Sequence, residues 1–423
     1  MEEVSTHMTK RFNGLVAMGA AGLLAVAGAV PATAQETTSI DMIGAGYEPE
    51  MEPYYSDLAA RFMEANPDID VAVQVVSWTD IYDVLNTRVA AGDPPDIMNL
   101  NYFANFAADG LLRPAEDIVT PEVLDGIIQA FRDNSKYDGI EYAVPDLASA
   151  RLFFYNTDVL DAAGIEPPTT WSEMLTACEA ILAKVPGVIP YGIPLGPEEA
   201  QAEFLMWAGG NGGGVFDGEN WIVNSAENLE TLEFLQTLVD NGCTQPSIGT
   251  SNRSAAGAGA AVLPLFAQGV VAMANGSVFF PGQLESGDLG GSPNYGTTAI
   301  PAADGKEGVT LGVQDYFYAF NNEGNQEAVQ KFLSFLYEPD NYAGFLGAAG
   351  GFLPATKAAG EAMSDDPGLA PFIEVLPSAI FYPSDQAEWA AVQGAIQQGL
   401  GAAFAGEDKQ QVLDQIQAVA TGE

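Results

Sequence analysis

The chain reads as an α/β protein of two domains built on a largely parallel sheet. Two observations predict this. Short apolar runs alternate with amphipathic stretches at the spacing of βαβ units. About 389 residues follow a leader-like N-terminus, more than a single hydrophobic core accommodates. In order, Ser39 to Ile43 reads as a strand, and Met51 to Ala65 as an amphipathic helix with Leu58, Phe62 and Met63 on its buried side. Asp70 to Ser77 alternates like a second strand. Ile81 to Ala91 is a second helix, stopped by Gly92-Asp93-Pro94-Pro95, and Ile97 to Leu100 is a third strand. In such sheets ligands sit beyond the carboxyl ends of the strands. Further helices are expected at Trp171 to Lys184, Asn228 to Asp240, Gln326 to Tyr337 and Ala387 to Phe404. Ala260 to Gln268 leads into a strand at Val270 to Ala274. Gly209 to Gly214 and Ser254 to Ala261 read as Gly-rich loops. Neither carries a G-x-G-x-x-G fingerprint after a strand, and Gly44-Ala45-Gly46 is followed by Pro49 where glycine is required.

Lys10 and Arg11 precede an apolar run from Phe12 to Val30, which ends in Ala32-Thr33-Ala34. That is the pattern of a cleaved secretory signal, so residues 1–34 are expected to be removed and the mature chain to begin at Gln35 in the periplasm. Met8 offers a more ordinary start than Met1, because Glu2 and Glu3 are unusual ahead of such a run. The only histidine, His7, lies in this leader. Its removal excludes a Ser-His-Asp triad, a Cys-His pair and a His-ligated zinc site together. No catalytic residue, metal site or cofactor is therefore expected, and binding is favoured over transformation.

The net charge is −43, and only six lysines and six arginines follow the leader. A nucleic-acid partner is excluded, since phosphate contacts need Lys and Arg. Acidity of this kind keeps a hydrated surface soluble; no complete calcium-binding loop accompanies it. Cys178 and Cys243 are the only cysteines, and in an oxidising compartment they are expected to pair; two buried thiols are the alternative.

A series of landmarks carries a resemblance. Ala90-Ala91-Gly92-Asp93-Pro94-Pro95-Asp96-Ile97 is followed by Ala108-Asp109-Gly110-Leu111-Leu112-Arg113-Pro114, then by Tyr137-Asp138-Gly139-Ile140-Glu141-Tyr142-Ala143-Val144-Pro145 and Phe154-Tyr155-Asn156. Ala163-Gly164-Ile165, Pro167-Pro168-Thr169-Thr170-Trp171 and Phe266-Ala267-Gln268-Gly269 to Ala272-Met273 complete it. In this order and spacing the chain resembles the family-1 extracellular solute-binding proteins of ABC importers, the sugar-binding group related to maltose- and trehalose-binding proteins. The resemblance implies a two-lobe periplasmic-binding-protein fold, with a ligand cleft between lobes and crossing hinge strands. Residues 35–147, completed by about 275–320, are expected to form the first lobe. Residues 148–274, completed by about 321–423, are expected to form the second. It also implies a monomer that hands a sugar or polyol to membrane permease subunits.

Sugar sites combine aromatic platforms with carboxylates, amides and guanidinium groups. The resemblance places such residues at Tyr47 and Glu48 after the first strand, Trp78 after the second, and Asn99, Asn101 and Tyr102 at the third. Asp146, Ser149 and Arg151 lie between the Val144-Pro145 turn and the crossing strand. Trp207 precedes a Gly-rich loop. Asn275, Gly276 and Ser277 follow the Ala272-Met273 strand, although a stacking tryptophan of several relatives is missing there. Gln314, Asp315 and Tyr316 stand where relatives often show Gly-Gly-Trp, which makes Tyr316 a candidate platform; Tyr382 and Trp389 form a late segment. Trp171 and Trp221 are expected to pack a helix start and a hairpin. Two other readings compete. A histidine-free glycosidase would use Asp146 and Asp315, and the same fold could take a polyamine or quaternary ammonium through aromatics and acids. Four aromatics facing one point would favour the cation; one platform ringed by Asn, Gln, Asp and Arg would favour the sugar.

Overall fold

The computed structural model describes residues 37–196, 198–245 and 261–423. The leader at 1–34 and the Gly-rich stretch from Ser254 through residue 260 lie outside them. Strands β1 (Thr38–Gly46), β2 (Ile69–Ser77) and β3 (Ile97–Leu100) alternate with helices α1 (Met51–Ala65) and α2 (Ile81–Ala90). β1 runs parallel to both β2 and β3, and its register pairs Gly46 with Ser77. Side chains alternate across β1: Ile40 and Met42 enter one apolar cluster, Ile43 and Ala45 the other. Burial on both faces is what a parallel sheet requires. α1 folds against one face through Met51, Tyr55, Leu58, Ala59 and Phe62, an apolar stripe at helical spacing.

β4 (Val144–Ser149) and β5 (Arg151–Asn156) are separated only by Ala150, yet belong to different sheets. The second series runs α3 (Trp171–Lys184), β6 (Ile189–Tyr191), α4 (Ala200–Gly209), α5 (Ala226–Asp240), β7 (Val271–Ser277) and β8 (Tyr295–Thr298). β9 (Thr310–Ala319), α6 (Gln326–Leu336), α7 (Pro339–Ala348), β10 (Leu353–Pro354), β11 (Ala379–Phe381), α8 (Trp389–Phe404) and α9 (Lys409–Thr421) complete it. Among the described residues one sheet has seven strands, in the order β10-β4-β9-β3-β1-β2 with β11 paired to β9. A second has four, in the order β8-β5-β7-β6, and Lys136–Tyr137 and Ile140–Glu141 pair as a small two-stranded sheet.

Local chemistry explains the Thr-Thr-Trp start of α3. Thr170 Oγ1 accepts the Glu173 N–H at 3.2 Å, and Glu173 in turn accepts the Thr169 N–H and hydroxyl at 2.8 Å. Trp171 then stacks on Phe234 of α5 with centroids 4.2 Å apart. Trp221 packs on Phe216 across the hairpin at 5.2 Å. Cys178 of α3 is joined by a disulfide to Cys243, their Cα atoms 5.4 Å apart.

The chain interleaves between the sheets more than the expected lobe boundaries allowed. β8, placed with the first lobe by its position in 275–320, pairs antiparallel with β5 in the four-stranded sheet. α6 and α7, placed with the second by their position after 321, pack on α1: Phe62 meets Phe332 at 5.1 Å, and Tyr55 meets Phe345 at 6.3 Å. The reason is physical. An amphipathic helix announces that one face is buried, not which sheet buries it.

Candidate ligand-binding cleft

The parallel register builds the cleft. Because Gly46 and Ser77 are paired, Tyr47 and Trp78 emerge side by side from the carboxyl ends of β1 and β2. Their rings meet edge-on with centroids 5.6 Å apart, and Tyr82, in the first turn of α2, extends the cluster at 6.2 Å from Trp78. Asn101, just past β3, donates to the Tyr82 hydroxyl at 3.2 Å. These residues line a cavity of about 690 Å³, within the range of small-molecule sites. A groove of about 1250 Å³ elsewhere has a mainly apolar wall from α1, α6, α7 and neighbouring loops, and no residue of either sheet lines it. It lacks the convergence of polar groups seen at the strand ends.

Arg151 opens β5 and is 3% exposed. The β5–β7 register sets it opposite Ser277, and its Nη1 donates to Ser277 Oγ and, at 2.9 Å, to Ser149 Oγ. Its Nη2 pairs with Glu199 at 2.6 Å. Across the cleft, Asp315 of β9 accepts the Tyr47 hydroxyl on Oδ2 at 2.8 Å, while its Oδ1 has no hydrogen-bond partner. Burial pushes the Asp315 carboxyl up to about 7; the Tyr47 hydrogen bond and nearby Arg151 only partly offset this. Burial also raises Glu48, whose Oε1 accepts Gln283 Nε2 at 2.6 Å.

The cavity therefore brings together Tyr47, Glu48, Trp78, Asn101, Ser149 and Arg151 with Asp315 and Tyr382. Other expected site residues lie elsewhere. Tyr316 is fully buried: its ring packs edge-on against Phe103 at 5.2 Å, and its hydroxyl binds Asn134 O and Ser384 Oγ, each at 3.1 Å. Gln314 points its amide to Phe131 O at 2.9 Å. Consecutive strand residues face opposite sides, so Val313 and Asp315 reach the cleft while Gln314 and Tyr316 do not. Asn99 and Asp146 form a buried strut: Asn99 Nδ2 donates to Asp146 Oδ2 at 2.5 Å, and Asp146 Oδ1 accepts the Leu147 N–H at 2.7 Å. Burial, then Asp315, raises the Asp146 carboxyl far above its ordinary range.

Tyr102 sits behind the aromatic wall, stacked on Tyr82 at 5.7 Å. Trp389 supports Tyr382 in the same way at 5.0 Å. Trp207 lies inside α4 rather than at a loop mouth, and donates to Glu203 Oε1 at 2.8 Å. Asn275 joins that core network at 3.1 Å from the same oxygen. Gly276 leaves no room for a platform, since a Cβ there would meet the Phe154 and Phe280 rings at 2.7 Å. Ser277 acts through Arg151.

The sequence reading did not include Tyr82, Glu198, Glu199, Gln201, Phe279 and Gln283, all of which line the cavity. Tyr82 had a usable signal, four residues after Trp78 at the start of a helix. Glu198 and Glu199 immediately precede α4 and Gln201 lies in its first turn; the helix is buried on all sides and gave no amphipathic pattern. Among the described residues no group of three or more His, Cys, Asp or Glu side chains could hold a metal ion. None of their helices is long and apolar enough to cross a membrane.

A two-sheet α/β fold, with a polar and aromatic cleft at the strand ends and two adjacent strands passing between sheets, defines a solute-binding class of protein. The sequence matches the bacterial extracellular solute-binding protein family over residues 45–343, and the chain belongs to that family. It is 31% identical over 365 residues to a putative binding protein of Brucella abortus (strain 2308), with 83% of this chain and 85% of that one covered. The fold is similar to maltose-bound MalE3 of T. maritima: the TM-score is 0.76 at 21% identity, covering 91% of this chain and all of that one. It is also similar to an ABC transporter solute-binding protein of Thermotoga lettingae bound with α-D-tagatose, with a TM-score of 0.75, 21% identity and the same coverage. These neighbours share its two-lobe α/β architecture.

Proposed function

We propose that this chain is the sugar-capturing receptor of an ABC importer. The observation that carries the reading is the cavity of about 690 Å³, with the Tyr47–Trp78–Tyr82 wall on one side and Asn101, Ser149, Arg151, Gln201 and Asp315 converging on it. Ring faces suit the C–H faces of a pyranose or furanose, while amides, carboxylate and guanidinium match its hydroxyls. The maltose and tagatose held by the structural neighbours support that ligand class. The chain is read as exported after loss of residues 1–34, acting as a monomer, with one lobe around each sheet. It delivers its ligand to permease subunits and performs no covalent chemistry. Asp146 supports this last point: it is held by Asn99 and a backbone N–H and lies outside the cavity wall, so it is not available as partner to Asp315 in a two-carboxylate hydrolysis.

A thermal-shift screen against hexoses, pentoses, disaccharides and polyols tests this, because a ligand that binds only the folded state raises Tm. The hit should lose about 1–3 kcal/mol of affinity by calorimetry in Trp78→Ala, the loss expected when an aromatic contact in a buried pocket is truncated. A panel without any stabilising carbohydrate overturns the proposal.

A further inference from the structure

Charge in the cavity wall is unbalanced. Glu48, Glu50, Glu198, Glu199, Asp288 and Asp315 line it against a single cation, Arg151. That cation is engaged at both terminal nitrogens: Nη2 pairs with Glu199, and Nη1 binds Ser149 and Ser277, while Nε is buried without a hydrogen-bond partner. Asp315 is 3% exposed, has no ion-pair partner within 4.0 Å among the described residues, and leaves Oδ1 without a hydrogen bond. The groups around it are Tyr47, which donates to Oδ2, with Asp146, Tyr316, Arg151 and Glu199 nearby. When a solute fills such a cleft it expels water from this carboxylate. A neutral hydroxyl can then donate a hydrogen bond but offers no countercharge, so part of the desolvation cost stays uncompensated.

Resting on the carbohydrate reading, we propose that the sugar this cleft selects carries a protonated amine, seated against Asp315 beside the Tyr47–Trp78 wall. An ammonium N–H supplies the missing donor to Oδ1 and the missing positive charge together, a charge-assisted bond stronger than a neutral one. The ring faces of Tyr47, Trp78 and Tyr82 add a favourable surface for the cation. A quaternary ammonium would match the aromatics but has no N–H for Oδ1. A polyamine would leave Asn101, Gln201 and Ser149 without hydroxyl partners. An N-acetylated amine offers a donor and no charge. An amine-bearing sugar supplies both the charged donor for Asp315 Oδ1 and the hydroxyls for Asn101, Gln201 and Ser149.

Calorimetry on matched carbohydrates tests this with the intact chain at low salt and about pH 7.5, where Asp315 is mostly ionised and a sugar amine still carries its proton in substantial part. The probes are glucose, glucosamine and N-acetylglucosamine, the corresponding galactose series, and cellobiose, free-amine chitobiose and N,N′-diacetylchitobiose. In at least one series the amine member should bind about tenfold or more tighter than both its hydroxyl and N-acetyl counterparts. Asp315→Asn should erase that preference, lowering amine binding about tenfold while changing hydroxyl binding less than about threefold. Melting curves establish that the variant is folded; if it is not, the wild-type ranking of amine against hydroxyl and N-acetyl members decides. Hydroxyl or N-acetyl members binding as tightly as the amine overturn this inference and leave the carbohydrate reading standing. An amine preference that survives in Asp315→Asn removes the assignment to Asp315. Absence of binding by any carbohydrate, charged or neutral, overturns both.

Discussion

Asp315 shows how a single side chain is defined by its neighbours. On an open strand it would ionise near 3.8, but burial holds its proton up to about pH 7. Between those two values the folded chain binds a proton that the unfolded chain has lost, so the stability contributed by this group falls as pH rises. The penalty is absent below about pH 4 and complete above about pH 7. Asp315→Asn should therefore raise the melting temperature of the unliganded protein at pH 8 by about 2 °C or more, with little change at pH 4. Equal effects at both pH values would show that the carboxyl does not titrate as its burial dictates. The adjacent residue carries the opposite lesson. Asp315 and Tyr316 were equally attractive in sequence, and strand alternation sends one to the cleft and the other into the core. The strand was legible; which parity faces the ligand was not, because every residue from Thr310 to Ala319 is buried on one side or the other.

Elements decide where a local motif can act. β7 was visible as the strand through Ala272-Met273, and its pairing with β5 sets Arg151 opposite Ser277 and Leu152 opposite Gly276. The missing tryptophan near Gly276 follows from that pairing, since Phe154 and Phe280 already occupy the space above it. Gly276→Ala is accordingly expected to destabilise the fold by about 1–3 kcal/mol in urea denaturation, as overpacking of a filled core does, while leaving ligand affinity close to wild type. An unchanged urea midpoint would mean that the two phenylalanines yield without cost. The same reasoning explains Trp207: α4 is buried on all sides, Gln201 and Glu203 included, so no amphipathic periodicity marked it as a helix, and its tryptophan reads in sequence as the mouth of a loop.

Across the whole molecule, acidic residues outnumber basic ones 57 to 14. Most lie on hydrated surface, where their mutual repulsion is weakened by added salt. Melting temperature should rise between about 10 mM and 500 mM NaCl, and a flat response would show that the carboxylates are too dispersed to repel. Within the cleft Glu50 and Asp288 remain exposed, and the excess of acids differs in consequence only at buried groups such as Asp315, where water that would otherwise screen the charge is removed.

The α/β class, the first three strands with their two helices, the family resemblance and the approach of aromatics to the first two strand ends were all determined by sequence, because each rests on short-range periodicity or on contiguous motifs. Tyr47, Trp78, Asn101, Ser149, Arg151 and Asp315 were legible for that reason. Tertiary structure alone decided that β8 joins the four-stranded sheet, that α6 and α7 cover α1, that Asn99 and Asp146 form a strut beneath the cleft, and that Tyr82, Gln201 and Gln283 complete its wall. These are pairings between segments tens to hundreds of residues apart. Such contacts depend on which surfaces meet in space, and no local pattern of apolar and polar residues encodes that choice.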